Sequence, residues 1–210
     1  MIKRAQVIER FVNPNAILPY DLTTTEVIEG MRLTYDLLFE INNFLVSKHY
    51  PRLEDMILGN SMSGLVSEFV VRNIGVQSKM MVRNKKVGGH PDLIPKNRYP
   101  NDEVLRGEGI EVKTSIQQGG WQGHNPEACW IMIFRYTVDR RPIPPQDREP
   151  IEFVQVLAAK LSRTDWSFSG RSATSRRTIT ASITKRGMPK LRGNPIYQNP
   201  VFVVGAKPTT

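Results

Sequence analysis

Three residues in this chain have the types and spacing to act on a phosphodiester bond. Asp92 follows Pro91 in the apolar stretch HPDLIP, and after an 18-residue spacer Glu111 and Lys113 stand two apart in IEVKTS. On a strand, alternation puts Glu111 and Lys113 on one face and Ile110, Val112 and Thr114 on the other. A neighbouring strand through HPDLIP brings Asp92 beside Glu111. Two carboxylates at one point repel each other unless a cation sits between them. A hard divalent cation such as Mg²⁺ wants a few carboxylate oxygens and keeps several waters. It polarises a phosphoryl oxygen and lowers the pKa of a bound water. Lys113 is placed to orient or help deprotonate that water, or to stabilise transition-state charge. This is a toolkit for phosphodiester hydrolysis.

The elements that must hold these residues are legible as helices followed by strands. Thr23-x-x-Glu26 has capping-box spacing. Ile28, Met31, Tyr35, Leu38, Asn42 and Leu45 follow at three- and four-residue steps, widened by Leu37, Ile41 and Phe44, which predicts a helix over 24–48 whose stripe forms core or a dimer seam. A short helix is expected after Pro51, stopping near Gly59. A third, capped by Ser61 or Ser63, is expected to end at Gly75 with Leu65, Phe69 and Val70 turned inward. Beyond Gly75 the texture changes to strands: VQSKMMVR, HPDLIP, GEGIEVKTS, then CWIMIFRYTV and IEFVQVLAAKL, the last two apolar on both faces as central strands are. The link from Ser115 to Cys129 is too short and polar for a crossover helix. The order reads as an α/β or α+β domain with a mixed sheet.

Charge narrows the class of partner. The 210 residues carry a net charge of +9. Residues 1–80 hold 8 basic and 9 acidic side chains, whereas 163–210 hold 9 basic and 1 acidic. The basic residues there, including Arg171, Arg176, Arg177, Lys185, Arg186 and Lys190, are interleaved with Ser and Thr, a composition suited to a phosphate backbone. In the loop after the Lys113 strand, Gln117, Gln118, Trp121, Gln122, His124 and Asn125 are candidates for contacts in a DNA groove, since Gln and Asn read adenine and Trp stacks; an ordinary loop with a half-buried Trp is the other reading. Trp166 and Phe168 are expected as core anchors. His49, His90 and His124 lack zinc spacing, and His90, although near Asp92, is expected to be structural. The single cysteine, Cys129, fits a reducing, cytoplasmic setting and an inert core thiol. No apolar signal segment is expected in MIKRAQVIERF, and no stretch reaches the roughly 18 apolar residues of a membrane helix.

Pro91-Asp92, the spacer and Glu111-Val112-Lys113 together resemble the PD-(D/E)XK nuclease signature. The resemblance covers roughly residues 61–160 and extends to the strand hydrophobicity and the helix ahead of the first strand. It implies a restriction-endonuclease-like mixed β-sheet flanked by helices, organised as one nuclease domain over 1–210: an N-terminal helical segment (1–60), a catalytic core (61–160) and a basic DNA-contacting segment (161–210). It implies that Asp92 and Glu111 bind Mg²⁺, that Lys113 assists the water, and that Glu68 on the preceding helix adds a further acid. The implied activity is that of a type II restriction endonuclease: sequence-specific cleavage of double-stranded DNA leaving 5′-phosphate ends, by a homodimer paired with a cognate DNA methyltransferase. A structure-specific repair or junction-resolving nuclease, and a non-catalytic DNA-binding protein, are the alternatives.

Overall fold

The computed structural model describes residues 2–123, 126, 128–168 and 181–203. Its first long element, α1 (Thr24–Ser47), starts where the capping box predicts: the Thr23 side chain accepts from the Glu26 N–H, and the Glu26 carboxylate accepts from the Thr23 N–H. Val27, Ile28, Met31, Thr34, Tyr35 and Leu38 form its buried stripe. This stripe packs within the chain, against the sheet and a later helix, α3 (Gly59–Gln77), and Phe44, expected on it, is exposed. Contact with α3 is close at Gly30, where a β-carbon would lie 2.6 Å from the Ile74 side chain.

The next helices depart from their expected bounds. α2 is a single turn (Leu53–Met56) with Pro51 outside it. α3 (Gly59–Gln77) begins before either serine, and its N-cap position, Leu58, supplies no side-chain cap. That end of α3 lies in solvent, with Leu58 82% exposed and Met62 the first buried residue. Met62, Val66, Val70, Val71 and Ile74 are the buried residues, and Leu65 and Phe69 are only partly covered.

A mixed sheet lies beneath these helices. In chain order its strands are β1 (Met81–Arg83), β2 (Leu93–Pro95), β3 (Ile110–Ser115), β5 (Trp130–Thr137), β6 (Glu152–Lys160) and β9 (Pro195–Gln198), and they lie side by side in that order. Only β3 and β5 run parallel; the other pairs are antiparallel. One face, with Ile110, Val112, Met132 and Phe134, packs on α1 and α3. The other, with Ile131, Ile133 and Leu157, packs under a three-stranded sheet of β4 (Gln122–Gly123), β8 (Ala181–Ile183) and β7 (Trp166–Phe168), together with α4 (Met188–Arg192). The fold is therefore mixed α+β, a mixed sheet flanked by helices. Among the described residues no helix is long and apolar enough to cross a membrane.

The small sheet explains how β3 reaches β5 without a crossover helix. β4 lies in the connecting loop, and Trp121 ahead of it is buried with Trp166, Ile183 and Leu191. An aromatic wedge and a short antiparallel ladder cover the sheet face that a helix would otherwise cover.

Candidate active site

The site forms where β2 meets β3. Leu93 is registered with Ile110, so antiparallel continuation sets Asp92 across from Glu111. The approach is tight at Gly109, whose φ of 154° lies outside the usual L-residue range and where a β-carbon would sit 2.0 Å from the Leu93 carbonyl. The expected alternation along β3 holds. Thr114 faces the helices and donates to the Ser63 carbonyl at 2.5 Å, whereas Glu111 and Lys113 take the opposite face, registered with Ile131 and Ile133 of the second core.

Asp92, Glu111 and Lys113 converge as the spacing predicts. Asp92 Oδ2 accepts from the Val112 N–H at 2.8 Å. Its carboxyl group lies near enough to that of Glu111 for the two to interact electrostatically. Glu111 is 7% exposed; its Oε1 accepts from Lys113 Nζ, and its Oε2 accepts from His90 Nδ1 at 2.8 Å. Burial, then the Glu111 charge, pushes the Asp92 carboxyl up to about 7. Burial acts on Glu111 in the same sense, but the hydrogen bonds from His90 and Lys113 outweigh it and bring that group down to about 2. The environment thus separates two like groups: a carboxylate held by two donors beside a carboxyl that gives up its proton less readily.

His90 is the residue that sequence reasoning undervalued. Its place two before Asp92 is the signal that could have found it, since residues two apart on an extended chain share a face. Its Nε2 lies 4.0 Å from Cys129 Sγ. Cys129 precedes β5 and is partly exposed, so the expected core thiol is corrected.

Glu68 does not join the cluster. It is exposed on α3 and pairs with Arg83. Arg83 is registered with Leu93, which places that ion pair on the helical face of the sheet, opposite Glu111. Trp121, expected at a groove, is 3% exposed and donates its indole N–H to the Gln117 carbonyl, so it anchors the loop instead of offering a stacking face. Gln117, Gln118 and Gln122 are exposed around it. Lys185 and Arg186 are exposed after β8, and Lys190 pairs with the buried Asp165 at 2.7 Å. Trp166 is buried as expected, but Phe168 is 44% exposed because the far end of β7 lies outside the core. His124, Asn125, Arg171, Arg176 and Arg177 lie outside the described residues.

The donor chemistry fits a hard cation. Two largely buried carboxyl groups side by side cannot cheaply carry two charges, and a divalent ion between them would offset both. Among the described residues no three His, Cys, Asp or Glu side chains form a ready-made ligand cage, so Asp92 and Glu111 would share the ion with waters and substrate oxygens. A pH-dependent metal response follows. Asp92 stands above its ordinary value, so its stabilising contribution is complete below about pH 4 and is lost as pH rises through about 7. Glu111 stands below its ordinary value, so its contribution is lost only as pH falls from about 4.5 towards 2. Saturating Mg²⁺ is therefore expected to raise the Tm by more at pH 8 than at pH 5, measured against EDTA at matched ionic strength. Equal shifts at the two pH values would place the ion elsewhere.

No family model and no curated protein matches this chain.

Proposed function

We propose that this protein is a Mg²⁺-dependent endonuclease of the PD-(D/E)XK type, with a restriction-endonuclease-like sheet, that hydrolyses double-stranded DNA at specific sequences and leaves 5′-phosphate ends. The observation that carries the reading is the placement of Asp92 across from Glu111 at the β2–β3 junction, with Lys113 held on Glu111. In this reading Asp92 and Glu111 hold the metal, which when bound supplies Lewis acidity at the phosphoryl oxygen and a more acidic water. Lys113 Nζ, kept on Glu111, directs a water at phosphorus from the side away from the leaving oxygen and stabilises the charge that develops. His90 fixes the far oxygen of Glu111 and so sets its rotamer; it is a positioning residue. Exposed Gln117, Gln118 and Gln122 lie just beyond β3, close enough to meet base edges, and Lys185 and Arg186 supply phosphate contacts. Cutting both strands of a palindromic site calls for a homodimer, with a cognate methyltransferase to protect host DNA.

Plasmid DNA incubated with the protein, with and without Mg²⁺, tests this. Discrete fragments that require Mg²⁺ and carry 5′-phosphates are the expected result. Cleavage confined to branched DNA would replace sequence recognition with junction resolution. Binding without cleavage in Mg²⁺ would reduce the chain to a DNA-binding module and overturn the reading.

A further inference from the structure

Among the described residues, one buried charge on the sheet face that carries the second core has no counter-charge. Three arginines are buried among those residues: Arg52, Arg135 and Arg148. Arg52 pairs with Glu54 at 2.7 Å, and Arg148 with Asp55 at 2.5 Å. Arg135, on β5, is 5% exposed and has no carboxylate partner among the described residues. Its Nη1 donates to the Phe202 carbonyl at 2.6 Å, and its Nε is buried without a hydrogen-bond partner. Burial lowers its pKa, with no acid acting the other way. An uncompensated buried guanidinium is costly, and proteins retain one where an anion arrives to pair with it.

The surroundings of Arg135 suit such an anion. It lines a pocket of about 110 Å³ with Gln118, Gln155, Arg192, Gln198 and Phe202. Arg192, at the end of α4, has no ion-pair partner among the described residues either and brings a second positive charge. Gln155 spends an amide N–H on Gln198 Oε1 at 3.0 Å, leaving the Gln198 amide nitrogen with no acceptor among the described residues. Among the described residues no acidic side chain lines the pocket.

The pocket is also in register with the active site. Lys113 is paired with Ile133 and Ser115 with Arg135 along the parallel β3–β5 ladder, so Arg135 shares the Glu111–Lys113 face, one pleat further on. Strand geometry of 3.3 Å per residue and 4.8 Å between strands puts the Arg135 and Lys113 Cα atoms about 8 Å apart. Gln155 and Gln198 extend the same row across β6 and β9.

We propose that this pocket is an oxyanion subsite that seats a non-scissile phosphate of the nucleic-acid backbone, a nucleotide step or so from the one held at Glu111 and Lys113. The proposal rests on the nuclease reading for the identity of the strand, but not for the pocket's affinity for phosphate. A phosphate there neutralises Arg135, engages Arg192, and holds the strand against the sheet face that carries the carboxylates.

Two measurements on the metal-free, full-length protein test it without any cleavage. In the first, the Tm is read in sodium phosphate and in sodium chloride at matched ionic strength. Phosphate is expected to stabilise the parent, Arg135→Gln to abolish that gain, and Arg192→Gln, an exposed change that spares the core, to reduce it. In the second, affinity for a short DNA duplex is read in EDTA across a salt series. Each variant is expected to bind about tenfold more weakly, with a salt slope shallower by about one. No phosphate-specific stabilisation of the parent, or full stabilisation in both variants, would overturn the subsite. Phosphate stabilisation lost in the variants with DNA affinity unchanged would overturn its assignment to the nucleic-acid backbone. If DNA is bound through Arg135 and Arg192 but never cut, the subsite stands and the catalytic reading fails.

Discussion

Lys113→Ala is expected to slow single-turnover DNA cleavage in saturating Mg²⁺ by about 10²–10⁴-fold, the usual contribution of a positioned proton-handling or charge-stabilising side chain. Duplex affinity in EDTA should barely change, because Nζ is engaged with Glu111 and only partly exposed. The loss therefore falls on the chemical step, not on binding. The same change removes one of the two donors that hold Glu111 below its ordinary value, so Glu111 should titrate higher and the metal should bind with a steeper pH dependence. Lys113→Met, which keeps the volume of the stem, separates a packing defect from loss of the charge: both variants should be equally slow. A Lys113→Ala protein that cleaves at the parental rate would remove Lys113 from the mechanism.

Asp92→Asn is expected to abolish cleavage at every Mg²⁺ concentration while making the metal-free protein more stable. The Asn side chain mimics the protonated Asp92. Its oxygen accepts from Val112 N–H as Asp92 Oδ2 does, and its amide donates to Glu111 without adding a second charge. The parent's raised Asp92 value sets the window. The difference in stability should be near zero at about pH 4, grow as pH rises through about 7, and level off above. Mg²⁺ should stabilise the parent and leave the variant almost unmoved, so the two melting curves approach or cross in the presence of the ion. A variant less stable than the parent at pH 8 in EDTA would mean that the Asp92 carboxylate is welcome in the fold, and the strain assigned to this pair would not exist.

Local patterns carried the features that depend on neighbours in sequence. The α1 capping box and the two-residue alternation of Glu111 and Lys113 needed only periodicity, and both hold. Features set by distant packing were not visible. Trp121 sits in a run of Gly and Gln that reads as an open loop, and only the arrival of β8, some sixty residues later, buries it. Phe168 reads as core by type, yet the end of β7 carries it into solvent. Glu68 lies ahead of the motif as the resemblance implies, but its ion pair with Arg83, which is registered with Leu93, puts it across the sheet from the carboxylates. His90 was hidden for the opposite reason. A lone histidine carries little pattern, and its importance appears only when Glu111 folds back to meet it.

The closing edge of the large sheet ties the beginning of the polypeptide to its end. Asn13 Nδ2 donates to the Pro195 carbonyl at 2.8 Å, the Asn13 N–H donates to the Ile196 carbonyl at 2.9 Å, and Val12 bridges Tyr197. The contact joins segments 182 residues apart, a costly loop to close, and until β9 docks, β6 presents a bare hydrogen-bonding edge. Gln155 lies on that waiting strand. The carboxylates on β2 and β3 meet without any contact to β9, so the two ends of the same sheet face depend on chain contacts of very different span.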